Sequence, residues 1–367
     1  MATWCVVNDD SRENRRPGRY FRYSTLLFIA VLVVSLGVAL IPREAPSPAV
    51  PPFSEQARAA AFTETMGLRV AGRQLMDSAS GAERLHFART VTLLTTQARA
   101  LILPGETDTP RPDRVAASGA HASNETVPVP PSASGLVAAL ATSGGQRLAD
   151  AETADGGMAR LLAAIGAAQL VQAAALAAAS GIPAPAAPVR DIPAVAGSCP
   201  APAPAPAGAS LEAALSVAVK TEVETVYGYQ VALTRLDGAA AASASGLLAR
   251  HENMVDEAEA QSRVHCVAIP PREPGYTLGD LFLAAPATGL GSLESGTLPV
   301  YGDLVALSEG STRTWAISGL LNAAQRAVQW GADPGPVPGV VLDTAQLPPL
   351  PENNASATVN ASNPPAP

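Results

Sequence analysis

Two residues carry chemistry by type and position. Between residues 210 and 236, Leu211, Leu215, Val219, Val226, Tyr229 and Leu233 recur at helical spacing. At about 100° per residue Glu222 falls inside that apolar stripe, while Glu224 falls opposite it beside Lys220. A carboxylate on a core face needs a partner or a raised pKa, because burying it bare is costly. Residues 239–266 carry a second stripe, Leu247, His251, Met254, Val255, Ala258 and His265, so His251 also points inward. Asp237-Gly238 is a turn signal between the two segments. An antiparallel hairpin then sets Glu222 and His251 within about a turn of each other. Three arrangements follow: a buried Glu–His hydrogen bond, a shared metal ion, or one group facing solvent.

Glu294 extends the metal arrangement. It lies beside the inner face of residues 275–308, marked by Leu290, Thr297, Tyr301, Leu304 and Ser308. Glu222, His251 and Glu294 together would make a minimal iron or manganese site. A di-iron carboxylate centre, however, takes a Glu from each of two helices and a Glu-x-x-His from each of two others. Three residues beyond His251 stands Met254, a poor ligand for hard ferric iron. The inner face of residues 312–331 offers Ile317, Leu320, Leu321, Ala324 and Val328, and no Glu-x-x-His occurs in this region. No other catalytic residue is assigned. His86, His121 and His265 have no recognisable partners in sequence, and His121 falls in a polar loop.

The three cysteines divide by compartment. Cys5 precedes an apolar segment whose orientation places it in the cytoplasm, where thiols stay reduced. Cys199 and Cys266 fall outside. Cys266 ends the segment carrying His251, and the hairpin returns it to the level of Ser210. Cys199 precedes that point by eleven positions of Ala-Pro linker. A Cys199–Cys266 disulfide is expected, against two free thiols or a bridge between molecules.

The elements that must position these groups are helical. Residues 53–103 read as two helices, with Phe87, Val91, Leu94, Ala98 and Leu101 as the second one's stripe. Residues 134–150 and 157–180 read as two more, the last almost wholly Ala, Leu and Ile. Region 53–180 forms a small bundle of its own or packs on the next domain. Residues 181–209 are a Pro/Ala-rich linker, because Pro at every second position forbids helix. Residues 210–342 follow, with segment 275–308 broken into two short helices by Pro286 and Pro299 and with Thr312–Gly331 as the last helix. Four such helices form an up-down bundle. Residues 343–367 are a polar tail expected to be disordered.

Residues 25–41 read TLLFIAVLVVSLGVALI without a charge, enough to span a bilayer core once when Ser24 is included. Five Arg and three acids precede it, and only Arg43 follows closely. The positive-inside rule therefore puts residues 1–23 in the cytoplasm, 24–41 across the cell membrane, 42–52 outside as a Pro-rich stalk, and the rest extracytoplasmic. The rival is a cleaved signal peptide ending at Gly37-Val38-Ala39. The net charge is −8. An acidic body with scattered Arg argues against nucleic-acid binding. No P-loop, dinucleotide-binding glycine pattern or paired CxxC is present, and a single apolar span excludes a multi-pass transporter.

Several short runs carry a family resemblance. They are Glu222-Val-Glu-Thr-Val-Tyr-Gly-Tyr229, Arg250-His251 with Asp256, Ile269-Pro270-Pro271 leading to Tyr276 and Leu278, Ala323-Ala324-Gln325-Arg326 up to Trp330, and Pro338-Gly339. Together, over residues 210–342, they resemble the ferritin-like domain of unknown function of actinobacterial exported proteins and lipoproteins. The resemblance implies an all-α ferritin-like four-helix bundle and no established activity. The expected protein is a single-pass, membrane-anchored extracytoplasmic module that is not an enzyme and has no cofactor. It would bind an envelope protein or support the envelope. The alternative is a minimal metal-dependent oxidoreductase using Glu222, His251 and Glu294.

Overall fold

A computed structural model describes residues 18–40, 50–102, 132–186, 199, 201–205 and 207–351. Residues 1–17, most of the stalk, the loop bearing His121 and the tail beyond residue 351 lie outside these. The described residues are all-α, with no strand among them. Two compact units divide the chain, residues 1–49 and 50–367.

In the first unit, α1 spans Gly18–Leu40, and every side chain from Phe21 to Ser35 is exposed. The second unit is built from helical hairpins. α2 (Phe53–Ser78) turns through Ala79 and Ser80 into α3 (Gly81–Ala100). α4 (Ala133–Thr153) turns through Ala154 and Asp155 into α5 (Gly156–Ala179), with the Asp155 carboxylate capping the Met158 N–H. Ser210 caps α6 (Leu211–Leu233) by accepting from the Ala213 N–H at 3.1 Å. Gly238, at φ +50°, opens α7 (Gly238–Val264) in a backbone region that favours glycine. The short α8 (Asp280–Ala284), α9 (Pro286–Leu307) and α10 (Gly310–Gln329) complete the set.

Residues 275–308 depart from the two short helices expected. Pro286 starts a helix, where its missing N–H is no loss, but Pro299 lies inside α9 without ending it. Leu290 and Glu294 before it and Tyr301, Leu304 and Val305 after it are all buried, so both halves of α9 are held by packing. Burial thus overrides the local cost of proline.

The apolar interior is shared along the second unit. One cluster joins Ala57, Ala61, Leu101 and Leu162 to Leu215, Met254, Leu304 and Ile317. A second lies among α2–α5, with Leu68, Phe87, Leu94 and Leu140. A third lies around Tyr229, Phe282 and Leu290. By length and composition α5 is apolar enough to cross a membrane, yet 67% of its most apolar window is buried. It touches α2, α3, α4, α9 and α10, so most of its circumference is packed, and its exposed positions are Gly157 and the alanines Ala174, Ala175, Ala178 and Ala179.

Candidate functional site

α6, α7, α9 and α10 each deliver one buried ionisable side chain to a common point: Glu222, His251, Glu294 and Arg326. His251 Nδ1 lies 2.7 Å from Glu222 Oε2, and His251 Nε2 lies 2.9 Å from Glu294 Oε1. The Tyr301 hydroxyl donates to Glu222 Oε1 at 2.6 Å, and that of Tyr229 donates to Glu294 Oε1 at 2.6 Å. Arg326 Nε donates to Glu294 Oε2 at 2.8 Å. Trp330 Nε1 in turn donates to the Tyr229 hydroxyl at 2.7 Å. All four carboxylate oxygens therefore accept from protein donors.

The protonation states follow from this geometry. Each imidazole nitrogen faces a carboxyl oxygen, so with both carboxyls ionised the two hydrogen bonds require hydrogen on both nitrogens. His251 is then an imidazolium. Two carboxylates balance one imidazolium and one guanidinium, and the cluster is neutral overall. Burial works against the charge on His251, but hydrogen bonds and attraction from Glu222 and Glu294 outweigh it and raise its pKa above the usual value. Burial pushes the Glu294 carboxyl up, yet His251 and Arg326 more than offset it, and its pKa falls below the ordinary range. Burial, then the neighbouring carboxylates, pushes both phenols up, so Tyr229 and Tyr301 remain neutral donors.

The chain carries a DUF4439 domain, a domain of unknown function, over residues 214–342. No curated protein matches the chain, and no solved structure does. The DUF4439 stretch contains all four charged residues of the cluster and both tyrosines. It covers about a third of the sequence, and its core continues into α2–α5 outside it.

Of the residues singled out by spacing, the structure brings Glu222, His251 and Glu294 together and leaves Glu224 exposed. His265 is half-buried, away from the cluster, 2.9 Å from the Thr312 hydroxyl. Cys199 and Cys266 are joined as a disulfide with Cα atoms 5.0 Å apart. Backbone bonds flank it: the Ala203 N–H donates to the Cys266 carbonyl and the Ala268 N–H to the Ala203 carbonyl.

The inner face of α10 differs from expectation. Val328 is exposed, and Arg326 is buried and reaches the cluster. The signal was the run of small residues Gly319 and Ala323 leading to Arg326 on one face. Small side chains there leave room for a tyrosine ring and a guanidinium. A Cβ on Gly319 would lie 2.3 Å from Tyr301 ring carbons.

These donors do not fit a metal. Both His251 nitrogens are committed to carboxylates, a guanidinium occupies Glu294 Oε2, and α10 supplies no ligand. Among the described residues no three His, Cys, Asp or Glu side chains are grouped to hold a metal ion. What the arrangement does chemically is neutralise two buried carboxylates with the chain's own cations and lock four helices in register.

Proposed function

We propose that residues 210–342 form a ferritin-like four-helix bundle. We further propose that it is a non-catalytic binding or envelope-associated module, tethered outside the cell membrane by residues 24–41. Three features support the bundle. The hairpins α6–α7 and α9–α10 pack together through α6 and α9. The pairs Tyr229–Glu294 and Tyr301–Glu222 make α6 and α9 antiparallel. The helices thus run up, down, down, up rather than in simple alternation, with one long crossover at residues 265–285, as ferritin-like folds do. The exposed apolar side chains of α1 and the Arg-rich residues before it support the tether.

The observation that carries the non-catalytic reading is the internally neutralised cluster, in which Arg326 Nη2 alone of the buried side-chain polar atoms has no hydrogen-bond partner among the described residues. Every carboxylate oxygen and both imidazole nitrogens are spent on protein partners, and the charge sums to zero. The alternative, a minimal di-metal oxidoreductase at Glu222, His251 and Glu294, would have to displace Arg326 and break both His251 bonds. Metal analysis of the purified protein after incubation with ferrous iron or Mn²⁺ tests the choice. Metal well below one ion per chain is expected. Stoichiometric metal that disappears in Glu222→Ala would overturn this reading in favour of the metal-dependent alternative. An envelope protein remains the proposed partner. Crosslinking in intact cells would identify it, and recovery of nucleic acid in its place would refute that proposal.

A further inference from the structure

All the described helices of the second unit except the short α8 fall into two sets of four with one plan. In residues 53–180, α2–α3 and α4–α5 are hairpins, and α2 lies against α4. In residues 211–329, α6–α7 and α9–α10 are hairpins, and α6 lies against α9. The first and third helices are antiparallel in both sets. Glu64 pairs with Arg147 at 2.9 Å while Gly72 faces Leu136, which reproduces the crossing of α6 and α9. Both sets join their hairpins by a long connection, residues 101–132 and 265–285.

The sets also share a polar layer at mid-height. Glu222, His251, Glu294 and Arg326 come one from each helix of the second set. Thr65, Gln97, Ser143 and Gln169, all fully buried, come one from each helix of the first. Gln169 Nε2 donates to Gln97 Oε1 at 3.0 Å. The approach of Gly72 to Val91 brings Thr65 level with Gln97, and that of Gly144 to Gly166 and Leu170 brings Ser143 level with Gln169. The four residues of the first layer are uncharged, with the Glu64–Arg147 pair beside them, and those of the second are ionic.

We propose that residues 53–180 are a second four-helix unit of the same plan and the built-in, permanent partner of the DUF4439 domain. The proposal rests on the four-helix reading of residues 210–342 but not on the metal question. The second hairpin of each set faces the second hairpin of the other, with α5 on α9 and α10 and α4 on α10. That is the arrangement of a two-fold dimer interface within one chain. Close approach and charge define it. A Cβ on Gly156 would lie 2.2 Å from the Ala306 carbonyl oxygen. Arg160 Nη1 donates to Asp303 at 2.6 Å, and Arg313 Nη1 donates to the Ala154 carbonyl at 2.6 Å. The apolar circumference of α5 follows, since one side lies in its own set and the other in the partner.

Cutting the linker tests this. A protease site placed between positions 187 and 198 separates the sets covalently, because the Cys199–Cys266 bridge lies wholly on one side of the cut. The detergent-purified full chain, once cut, should keep both pieces in one peak at the mass of the intact protein at micromolar concentration. Gly156→Leu should make the cut pieces separate at concentrations at least ten-fold higher than Gly157→Leu does, as a Cβ on Gly157 meets nothing within 4 Å. If uncut Gly156→Leu loses helicity, Arg160→Ala replaces it, since it removes the Asp303 contact without adding volume. Separation of the wild-type pieces, or equal behaviour of the interface variant and Gly157→Leu, overturns the proposal.

Discussion

At the residue scale the cluster makes stability depend on pH in a defined direction. The folded-state pKa of His251 is raised from 6.5, so its contribution is complete below about pH 6.5 and is lost as pH rises through the folded value. The Glu294 pKa is lowered from 4.5, so its contribution is complete above about pH 4.5 and is lost as pH falls through the folded value. The two groups together stabilise most between about pH 4.5 and 6.5. Urea titrations from pH 6 to 9 should show stability falling, with a limiting slope of about 1.4 kcal/mol per pH unit for one proton. A flat profile there would mean that His251 folds neutral. Substitution separates the two neighbouring glutamates. Glu222→Ala strands the imidazolium and the Tyr301 hydroxyl and should cost about 3–5 kcal/mol, the range for breaking a buried ion pair. Glu224→Ala, on the exposed face, should stay within about 0.5 kcal/mol. Equal losses in denaturant midpoints would put the helix phase in error.

At the element scale, helix–helix distance is set by glycines whose replacement has opposite signs in different places. Gly319 on α10 lies under the ring of Tyr301, which is fully buried and packed edge-on to Trp315 with centroids 5.6 Å apart. Neither ring has room to give, so Gly319→Ala should destabilise by about 1–3 kcal/mol despite alanine's better helix propensity. Gly296 on α9 is exposed and a Cβ there meets nothing within 4 Å. Gly296→Ala should therefore stabilise by about 0.5–1 kcal/mol. Thermal unfolding of the two variants reads the sign directly. The same scale explains what the sequence made legible. The stripes of α3, α6 and α7 were readable because each helix buries one face and exposes the other, so period 3.6 is written in residue type. Glu222 and His251 stood out as polar residues breaking such stripes. Arg326 did not, because a long cationic side chain beside alanines reads as surface until the facing carboxylate is known. Pro299 misled for a related reason: local propensity counts the lost N–H, while the packing of Tyr301 and Leu298 is decided by α6 and α10.

At the scale of the whole molecule, two helices are apolar enough to raise the question of a membrane, and their surroundings differ. The residues of α1 from Phe21 to Ser35 are all exposed. Those of α5 are largely enclosed by helices on both sides, and Gln169 in its middle donates to Gln97. Length and composition pass α5 as well as α1, because burial between two helix sets and burial in lipid select the same side chains. This is also why the unity of residues 53–180 with the DUF4439 domain was not legible: α5 has no polar face to show where one layer ends. The two readings part on removal of α1. A chain beginning at Val50 keeps the complete interior of the second unit, so it should leave the membrane fraction, remain monodisperse without detergent and unfold at the wild-type temperature. The full chain should stay with the membrane and report an extracytoplasmic location when a reporter is fused after Pro52. If the chain beginning at Val50 still sediments with membranes, α5 rather than α1 is the span, and the buried contacts of Gly156 and Arg160 would have to open to release it.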